Sequence, residues 1–116
     1  MIVLRLAAGG RVAVRGDDVS IAQNSSWGSI ITLAGNGAQY EVEQNLTQLR
    51  DLVPGLWFQG PGLILNPDHI ASIWEEGGEL HYRLAGGVEF AQAGADLHQF
   101  MAAIEDAPAQ RGSKPT

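Results

Sequence analysis

Apolar and polar residues alternate along most of the first forty residues, a pattern typical of strands with one buried face. Residues 2–6 and 11–15 alternate on either side of the sequence AAGG, and this arrangement predicts a β-hairpin. The pair Asp17-Asp18 then predicts a turn, and VSIAQ after it predicts a third strand. The start of the chain is therefore expected to be a β-sheet.

The clearest local signal is SIITLAGNGAQYEVE, which consists of two alternating runs joined at Asn36-Gly37. This pair tolerates the positive φ angles of a tight hairpin turn better than other residues do. Asn45 then predicts the N-cap of a short helix, because apolar residues recur at helical spacing after it: Leu46, Leu49, Leu52 and Val53. Pro54-Gly55 predicts the end of that helix.

The second half of the chain repeats the pattern of the first. LILNPDHIASI is similar to VAVRGDDVSIA, and LHYRLAGGVEF is similar to IITLAGNGAQY, with Gly86-Gly87 in the second hairpin turn. A second apolar helical series follows the first at a shift of 51 residues: Leu97, Phe100 and Ile104 after Leu46, Leu49 and Val53. The sequence therefore predicts an α+β, mainly β fold made of two duplicated β-β-β-β-α units.

The repeats are predicted to cover residues 1–53 and 56–105. A repeat of this size does not bury a core alone, so both are expected to pack into a single β-rich domain over residues 1–106. Residues 107–116 are polar and carry proline and glycine, which predicts a disordered tail.

Between the repeats lies GLWFQGPGLIL, an uncharged stretch of residues 55–65. Successive side chains of a strand point to opposite faces, so Leu63 and Leu65 are expected to face the core and Ile64 the other side. This pattern favours a core strand after a glycine-rich kink. Pro61 lacks an N–H group and belongs at an edge or a bulge. The alternative is an exposed apolar patch around Trp57 and Phe58.

Charge is distributed unevenly along the chain, whose formal net charge is −6. Histidines aside, Arg83 is the only basic residue between Asp51 and Gln110, where nine acidic residues lie. Arg5, Arg11 and Arg15 sit close together near the start. Because phosphate neutralisation drives most nucleic-acid affinity, the acidic second half disfavours a polyanionic partner.

The order of elements from GRVAVRGDDVSI to LHQFMAAIE resembles the LytTR DNA-binding domain. The segment LWFQGPGLILNPDHI lies where that family has an aromatic residue, a basic cluster, an apolar triplet, an Asn and a short turn before Ile. Asn66, Asp68, His69 and Ile70 match the end of this pattern, and the Gly86-Gly87 hairpin followed by VEFAQ fits the next strand pair. Each half also resembles the small flagellar FlbD proteins, in MIVLRL, GDDVSI and SIITLAGNGAQYEV.

The departures from the LytTR pattern fall on the residues that the family uses to contact DNA. After the first helix the family has Arg and His, where this chain has Phe58, Gln59, Gly60 and Pro61. Before the last helix the family has Ser and Arg, where this chain has the sequence AGA at residues 93–95. The neutral Gln59 can hydrogen-bond a base edge but does not replace the lost charge. The resemblance thus implies a LytTR-like scaffold without its usual DNA contacts.

No residue set predicts catalysis or a cofactor. His69, His81 and His98 lack metal-ligand spacing, and the chain has no cysteine. Ser25-Ser26 has no nucleophile elbow around it, and the glycine-rich segments lead into strands rather than into a helix that would bind phosphate. The opening MIVLRL is too short for a signal peptide or a membrane span. We expect a cytoplasmic protein that is not an enzyme and has neither cofactor nor metal.

Two functions are therefore predicted. The first is a small regulatory module that binds another protein, for example an inhibitor with an acidic face that competes for a basic nucleic-acid-binding protein. Its expected interface residues are Trp57, Phe58, Trp74, Glu75, Glu76 and Glu79. The alternative is a LytTR-like DNA-binding transcriptional regulator that uses Arg5, Arg11, Arg15, Arg50 and Gln59.

Self-association is the remaining expectation from the sequence. The tryptophans Trp27, Trp57 and Trp74 fall at expected strand ends or turns, and tryptophan is enriched among residues that anchor interfaces. A β-rich domain with open edge strands can also pair through those edges. We therefore expect a homodimer formed through strand or tryptophan contacts, or a larger self-assembling component.

Overall fold

The computed structural model describes residues 1–60, 62–94 and 96–105, with no description of the side chains of residues 58–60. Over these ranges the chain forms ten strands, two short 3₁₀ turns (Gly16–Asp18 and Pro67–His69) and two helices. The strands are β1 Ile2–Arg5, β2 Arg11–Val14, β3 Val19–Asn24, β4 Ser29–Leu33, β5 Gln39–Val42, β6 Phe58–Gly60, β7 Leu63–Leu65, β8 Ile70–Glu76, β9 Glu79–Leu84 and β10 Glu89–Ala93. The helices are α1 Leu46–Leu52 and α2 Leu97–Glu105. The predicted disordered tail at 107–116 lies outside the described residues, as do Pro61 and Ala95.

The strands form three antiparallel sheets. β1 pairs with β2, five strands follow the order β5-β4-β3-β7-β6, and three follow the order β10-β9-β8. The backbone N–H of Glu43 donates to the carbonyl of Arg5 (2.8 Å), and that of Ala7 to the carbonyl of Glu41 (3.0 Å). These bonds join β1 to the end of β5. The predicted α+β, mainly β class is confirmed.

One order of elements occurs twice along the chain: two strands, a 3₁₀ turn, three strands and a helix. Each half thus has five strands, so the prediction of four was wrong. The additional strand is β1 in the first half and β6 in the second. Each lies before the first pair of similar segments, VAVRGDDVSIA and LILNPDHIASI. β6 was missed because it is only three residues long and ends at Gly60, which leaves too few positions to show an alternation.

Local details also recur 51 residues apart. The N–H of Ala34 donates to the carbonyl of Asp18, and the N–H of Ala85 donates to the carbonyl of His69, both at 2.7 Å. β3 has an irregularity in its pairing between Val19 and Ile21, and β8 has one between Ile70 and Ser72. The two halves therefore share backbone geometry as well as element order.

The core consists of two apolar clusters with β3 and β7 between them. Ala22 and Ile64 belong to the first cluster, together with Leu49 of α1. Ile21 and Leu65 belong to the second, together with Phe100 of α2 and much of β9. Ile64 does point away from Leu63 and Leu65, as period two predicts, yet it is only 1% exposed because the first cluster covers it. The central strands are buried on both faces.

Helix α1 begins at the predicted cap. The Asn45 side chain accepts a hydrogen bond from the N–H of Gln48 (2.8 Å), and the Gln48 side chain accepts one from the N–H of Asn45 (2.9 Å). This reciprocal capping box satisfies two backbone donors that a helix start leaves free. Leu49 and Val53 are buried, whereas Leu52 is 45% exposed, because a seven-residue helix covers the sheet with only one face.

The hairpin turns of the two halves contact each other. Gly86 has φ +95°, and a Cβ atom there would collide with the carbonyl oxygen of Ala34. The Asn36-Gly37 turn forms as predicted, but among the described residues only glycines have positive φ. Asn36 instead accepts a hydrogen bond from the N–H of Ala38 through its side chain (2.9 Å). The turn therefore uses the asparagine as a local acceptor rather than for its left-handed conformation.

Candidate functional site

The outer face of the β8-β9-β10 sheet carries three of the six residues predicted for a protein interface: Trp74, Glu76 and Glu79. Side chains alternate between the faces of a strand, and the strand register aligns them in rows across the sheet. The rows on the outer face are Ser72–Arg83–Glu89, Trp74–His81–Ala91 and Glu76–Glu79–Ala93. The other face carries Ile73, Tyr82 and Phe90, which pack in the second cluster. We call the outer side the Trp74 face.

Two neighbouring side chains of β9 hold Trp74 in place. The His81 ring stacks on the indole with a centroid distance of 5.4 Å and an interplanar angle of 12°. The Arg83 guanidinium lies 5.7 Å from the indole centroid, within the range of a cation–π contact. Glu89 forms an ion pair with Arg83 from the other side. Trp74 lies within β8 and not at a strand end, so the prediction of its position was wrong. The contacts with His81 and Arg83 make this part of the face an ordered aromatic surface.

The hairpin tip beside Trp74 is acidic. Glu76 and Glu79 flank Gly77-Gly78, and both glycines have positive φ, as a two-residue hairpin turn requires. The Trp74 indole N–H donates to Glu76 at 3.5 Å, and a Glu79 oxygen lies 3.7 Å from His81 Nε2. The carboxylates thus adjoin the aromatic row directly.

Glu75 occupies a different place from its two acidic neighbours. It alternates to the opposite side of β8, where its carboxylate accepts a hydrogen bond from the N–H of Leu97 at the start of α2 (3.3 Å). A carboxylate at a helix start satisfies a free donor and favours the helix dipole. The predicted acidic group of Glu75, Glu76 and Glu79 is therefore divided between two faces.

The expected patch around Trp57 does not form on the surface. Trp57 is 7% exposed and packs in the second cluster, because the chain between α1 and β6 passes over the core formed by β9 and α2. Phe58 begins β6, and its side chain lies outside the description. The most exposed tryptophan is Trp27, at 72%, in a tight turn closed by a hydrogen bond from the Ser25 N–H to the Gly28 carbonyl (3.1 Å).

The arginines of the DNA-binding prediction are distributed over two elements. Arg5 and Arg11 lie opposite each other in the β1-β2 hairpin, and Arg15 follows β2 in the same alternation. Arg5 lies 3.9 Å from the carboxylate of Glu43, and Arg15 lies 3.9 Å from that of Asp17. Arg50 is exposed on the last turn of α1. Gln59 lies in β6, and its side chain is not described. Carboxylates thus interrupt the cationic surface.

The cross-strand pair of Arg5 and Arg11 borders a shallow depression of about 430 Å³, together with Leu6, Gly9, Gly10 and Glu43. The glycine turn of the hairpin lines it, and its charged groups are two guanidinium groups and one carboxylate. It lacks the enclosed apolar walls typical of small-molecule sites.

The histidines do not converge. His69 Nδ1 lies 2.9 Å from the Ser20 hydroxyl, His81 stacks on Trp74, and His98 is exposed on α2. Over the described ranges, no group of three or more His, Asp and Glu side chains could hold a metal ion. Neither α1 nor α2 is long and apolar enough to cross a membrane, and no other helix occurs in the described part.

Comparison of the chain with protein-family models, with curated proteins and with solved structures finds no match.

Proposed function

We propose that this protein is a non-enzymatic regulatory module that binds another protein through the Trp74 face. The observation that carries the proposal is the row of Trp74 and His81, bordered by Arg83 on one side and by Glu76 and Glu79 on the other. Interface hot spots combine a well-packed aromatic anchor with a polar rim, and this sheet face has both. The anchor is ordered before binding, which lowers the entropic cost of association.

The charge pattern supports a basic partner. Glu76 and Glu79 project at the hairpin tip next to an aromatic ring, and the net charge of −6 favours approach of a cationic surface. A Lys or Arg side chain of the partner can pair with these carboxylates while its alkyl part packs along Trp74. A basic nucleic-acid-binding protein has this chemistry, so the module acts as an inhibitor or as a regulator related to transcription.

Fluorescence anisotropy with a labelled peptide of alternating arginine and leucine residues tests this proposal. Saturable binding is expected, and Trp74→Ala is expected to weaken it by about tenfold, the loss of one hot-spot residue. Trp27→Ala is the matched control, because it removes an even more exposed indole outside the sheet. If the peptide does not bind, or if both variants bind it equally, the Trp74 face is not the site.

We also infer that the two halves are copies of one unit and that together they form a LytTR-like scaffold. The paired hydrogen bonds of Ala34 and Ala85, the paired irregularities of β3 and β8, and the shared element order support duplication. The match of Asn66, Asp68, His69 and Ile70 to the end of the LytTR pattern supports that relationship and favours transcription as the regulated process. Cytoplasmic location is proposed on the same basis.

DNA binding is the second candidate function. One observation favours it: Arg5 and Arg11 lie side by side on an exposed hairpin, with Arg15 in the same alternation. Arg50 and Gln59 would add contacts from other elements. Anisotropy with a labelled random duplex at low and physiological salt decides between the candidates, since phosphate binding weakens steeply with salt. We expect no saturable binding. Salt-dependent binding that Arg11→Ala abolishes would favour DNA instead.

A further inference from the structure

We propose that the free edge of β8 binds strand β2 of a second copy of this chain, in the register that joins β3 to β7 inside the molecule. The proposal is independent of the protein-binding function above. It follows from one relationship: β8 occupies the place in the second half that β3 occupies in the first, and β2 occupies the place of β7.

The internal junction between the halves is a short antiparallel pairing. Ala22 of β3 lies opposite Ile64 of β7. The pairing continues at both ends, because the N–H of Asn24 donates to the carbonyl of Gly62 (2.9 Å) and the N–H of Asn66 donates to the carbonyl of Ser20 (2.8 Å). A strand from the second half thus completes the edge of a sheet from the first.

The equivalent edges are open. In the described part of the chain, β8 pairs only with β9, and β2 pairs only with β1. An unpaired edge presents a row of backbone donors and acceptors and is a template for another strand. In the first half, the edge of β3 is paired with β7, a strand from the second half. In the second half, the equivalent edge of β8 has no such strand in the described part of the chain.

The backbone of β8 is oriented for such pairing. Glu76 and Glu79 close the two-residue turn as a hydrogen-bonded pair, and hydrogen-bonded pairs alternate along an antiparallel ladder. Trp74 and His81 form the next such pair. The N–H and C=O groups of Ile73 and Glu75 consequently point toward the open edge, as those of Ala22 and Asn24 point toward β7.

The backbone of β2 is oriented in the complementary way. The N–H of Leu6 donates to the carbonyl of Gly10 at the end of the hairpin, which makes this a hydrogen-bonded pair. By the same alternation, the N–H and C=O groups of Arg11 and Ala13 point away from β1. Ala13 is the equivalent of Ile64, so the residue that would bond to Ile73 is exposed and has its backbone directed outward.

The transposed register pairs opposite charges. Ile73 lies opposite Ala13 of the second copy, Trp74 opposite Val12 and Glu75 opposite Arg11. Directly opposed residues of unlike charge stabilise an antiparallel pair, and like charges destabilise it. The basic residues of the β1-β2 hairpin thus meet the acidic second half, which agrees with the uneven distribution of charge along the chain.

The two edges are different surfaces, so the contact is head-to-tail. Two copies that exchange both contacts form a closed dimer, and copies that do not close continue into larger assemblies. In either case the mean mass rises with concentration above the 12.3 kDa of one chain.

Sedimentation velocity of the full chain from micromolar to millimolar concentration tests the proposal. Wild-type protein is expected to assemble, and Ala13→Pro is expected to remain monomeric, because proline removes the outward N–H without breaking a bond to β1. Ala13→Val is the matched control: it keeps the N–H, and the equivalent position 64 already holds a larger β-branched residue. A wild type that stays monomeric throughout, or a Pro variant that assembles as the Val variant does, overturns the proposal.

A charge exchange provides a second test that does not depend on proline. Arg11→Glu and Glu75→Arg are each expected to weaken assembly, by about tenfold, and the double variant is expected to recover it. Arg50→Glu makes the same charge change on α1, outside both edge strands, and is expected to assemble as the wild type does. Absence of recovery in a folded double variant, judged by circular dichroism, contradicts the register.

Discussion

Tyr82 shows how completely the second cluster is enclosed. Its side chain is 0% exposed, and its ring stacks on Phe90 and Phe100 at centroid distances of 5.9 and 5.8 Å. Its hydroxyl has no hydrogen-bond partner among the described residues. Burial raises the pKa of the phenol to about 12, because the phenolate cannot be solvated there. The packed ring therefore stabilises the folded protein, whereas burial of the hydroxyl without a hydrogen bond destabilises it.

Replacement of this hydroxyl is expected to stabilise the protein. Tyr82→Phe keeps the stacked ring and removes a buried polar group, which should raise the free energy of unfolding by about 1 kcal/mol. Urea denaturation followed by circular dichroism measures the change, with an unchanged m-value as the sign of a preserved fold. A less stable Phe variant would mean that the hydroxyl has a partner.

The same residue predicts a loss of stability in alkali. The folded pKa of about 12 lies above the ordinary value of 10.0, so the folded state holds this proton more tightly than the unfolded state does. The contribution of this proton to the free energy of unfolding is fully present below pH 10. It is lost as the pH rises toward 12, by roughly 3 kcal/mol in all. Tyr82→Phe should lack this decrease. Urea midpoints measured across this range, with tyrosinate absorbance in parallel, compare the two proteins.

Contact between the two hairpin turns links elements that are distant in the chain. Gly37 and Gly86 belong to equivalent hairpins, and the Cβ positions of both would touch the other turn. A side chain at Gly86 would meet backbone, which cannot move aside as a flexible side chain can. The turns therefore connect the five-stranded and three-stranded sheets at a point where only glycine fits.

Alanine at neighbouring glycines separates this contact from backbone strain. Gly86 and Gly87 have φ +95° and +90°, but only the Cβ at Gly86 meets another atom within 4 Å. Both substitutions should cost about 1–2 kcal/mol of strain. Gly86→Ala should cost roughly 2 kcal/mol more because of the collision with Ala34. Thermal denaturation of the two variants measures the difference, and equal melting temperatures would argue against the contact.

The molecule as a whole should unfold as one unit. The two clusters share β3, since Ala22 faces one and Ile21 the other, so neither cluster is complete without the other half. Leu49→Ala in the first cluster and Leu80→Ala in the second should each lower the free energy of unfolding by about 2–5 kcal/mol. Both variants should retain a single transition.

Coincidence of two probes checks this cooperativity. Tryptophan fluorescence and far-ultraviolet circular dichroism should give the same midpoint for the wild type and for both variants. Leu52→Ala is the control, because it truncates a leucine of the same helix as Leu49 that lies outside the clusters. Separate transitions for the two halves would show that the junction between β3 and β7 is weaker than its burial implies.

Much of the fold could be read from local patterns. The cap at Asn45, the turn at Asn36-Gly37 and the alternation of β8 and β9 lie where they were predicted, because caps, turns and alternation depend on residues close in the chain. The position of Glu76 and Glu79 at a hairpin tip follows from the same information. The spacing of 51 residues between corresponding apolar positions also required nothing but the sequence.

What the sequence could not specify is which surfaces other segments cover. Period two assigns Ile64 to the face opposite Leu63 but does not reveal that a second cluster buries that face. It likewise does not show that Trp57 is enclosed while Trp74 is held on the surface by His81. The junction of β3 with β7 and the open edges of β8 and β2 depend on pairing between distant strands. Such pairing is set by burial of the whole chain and not by any one segment.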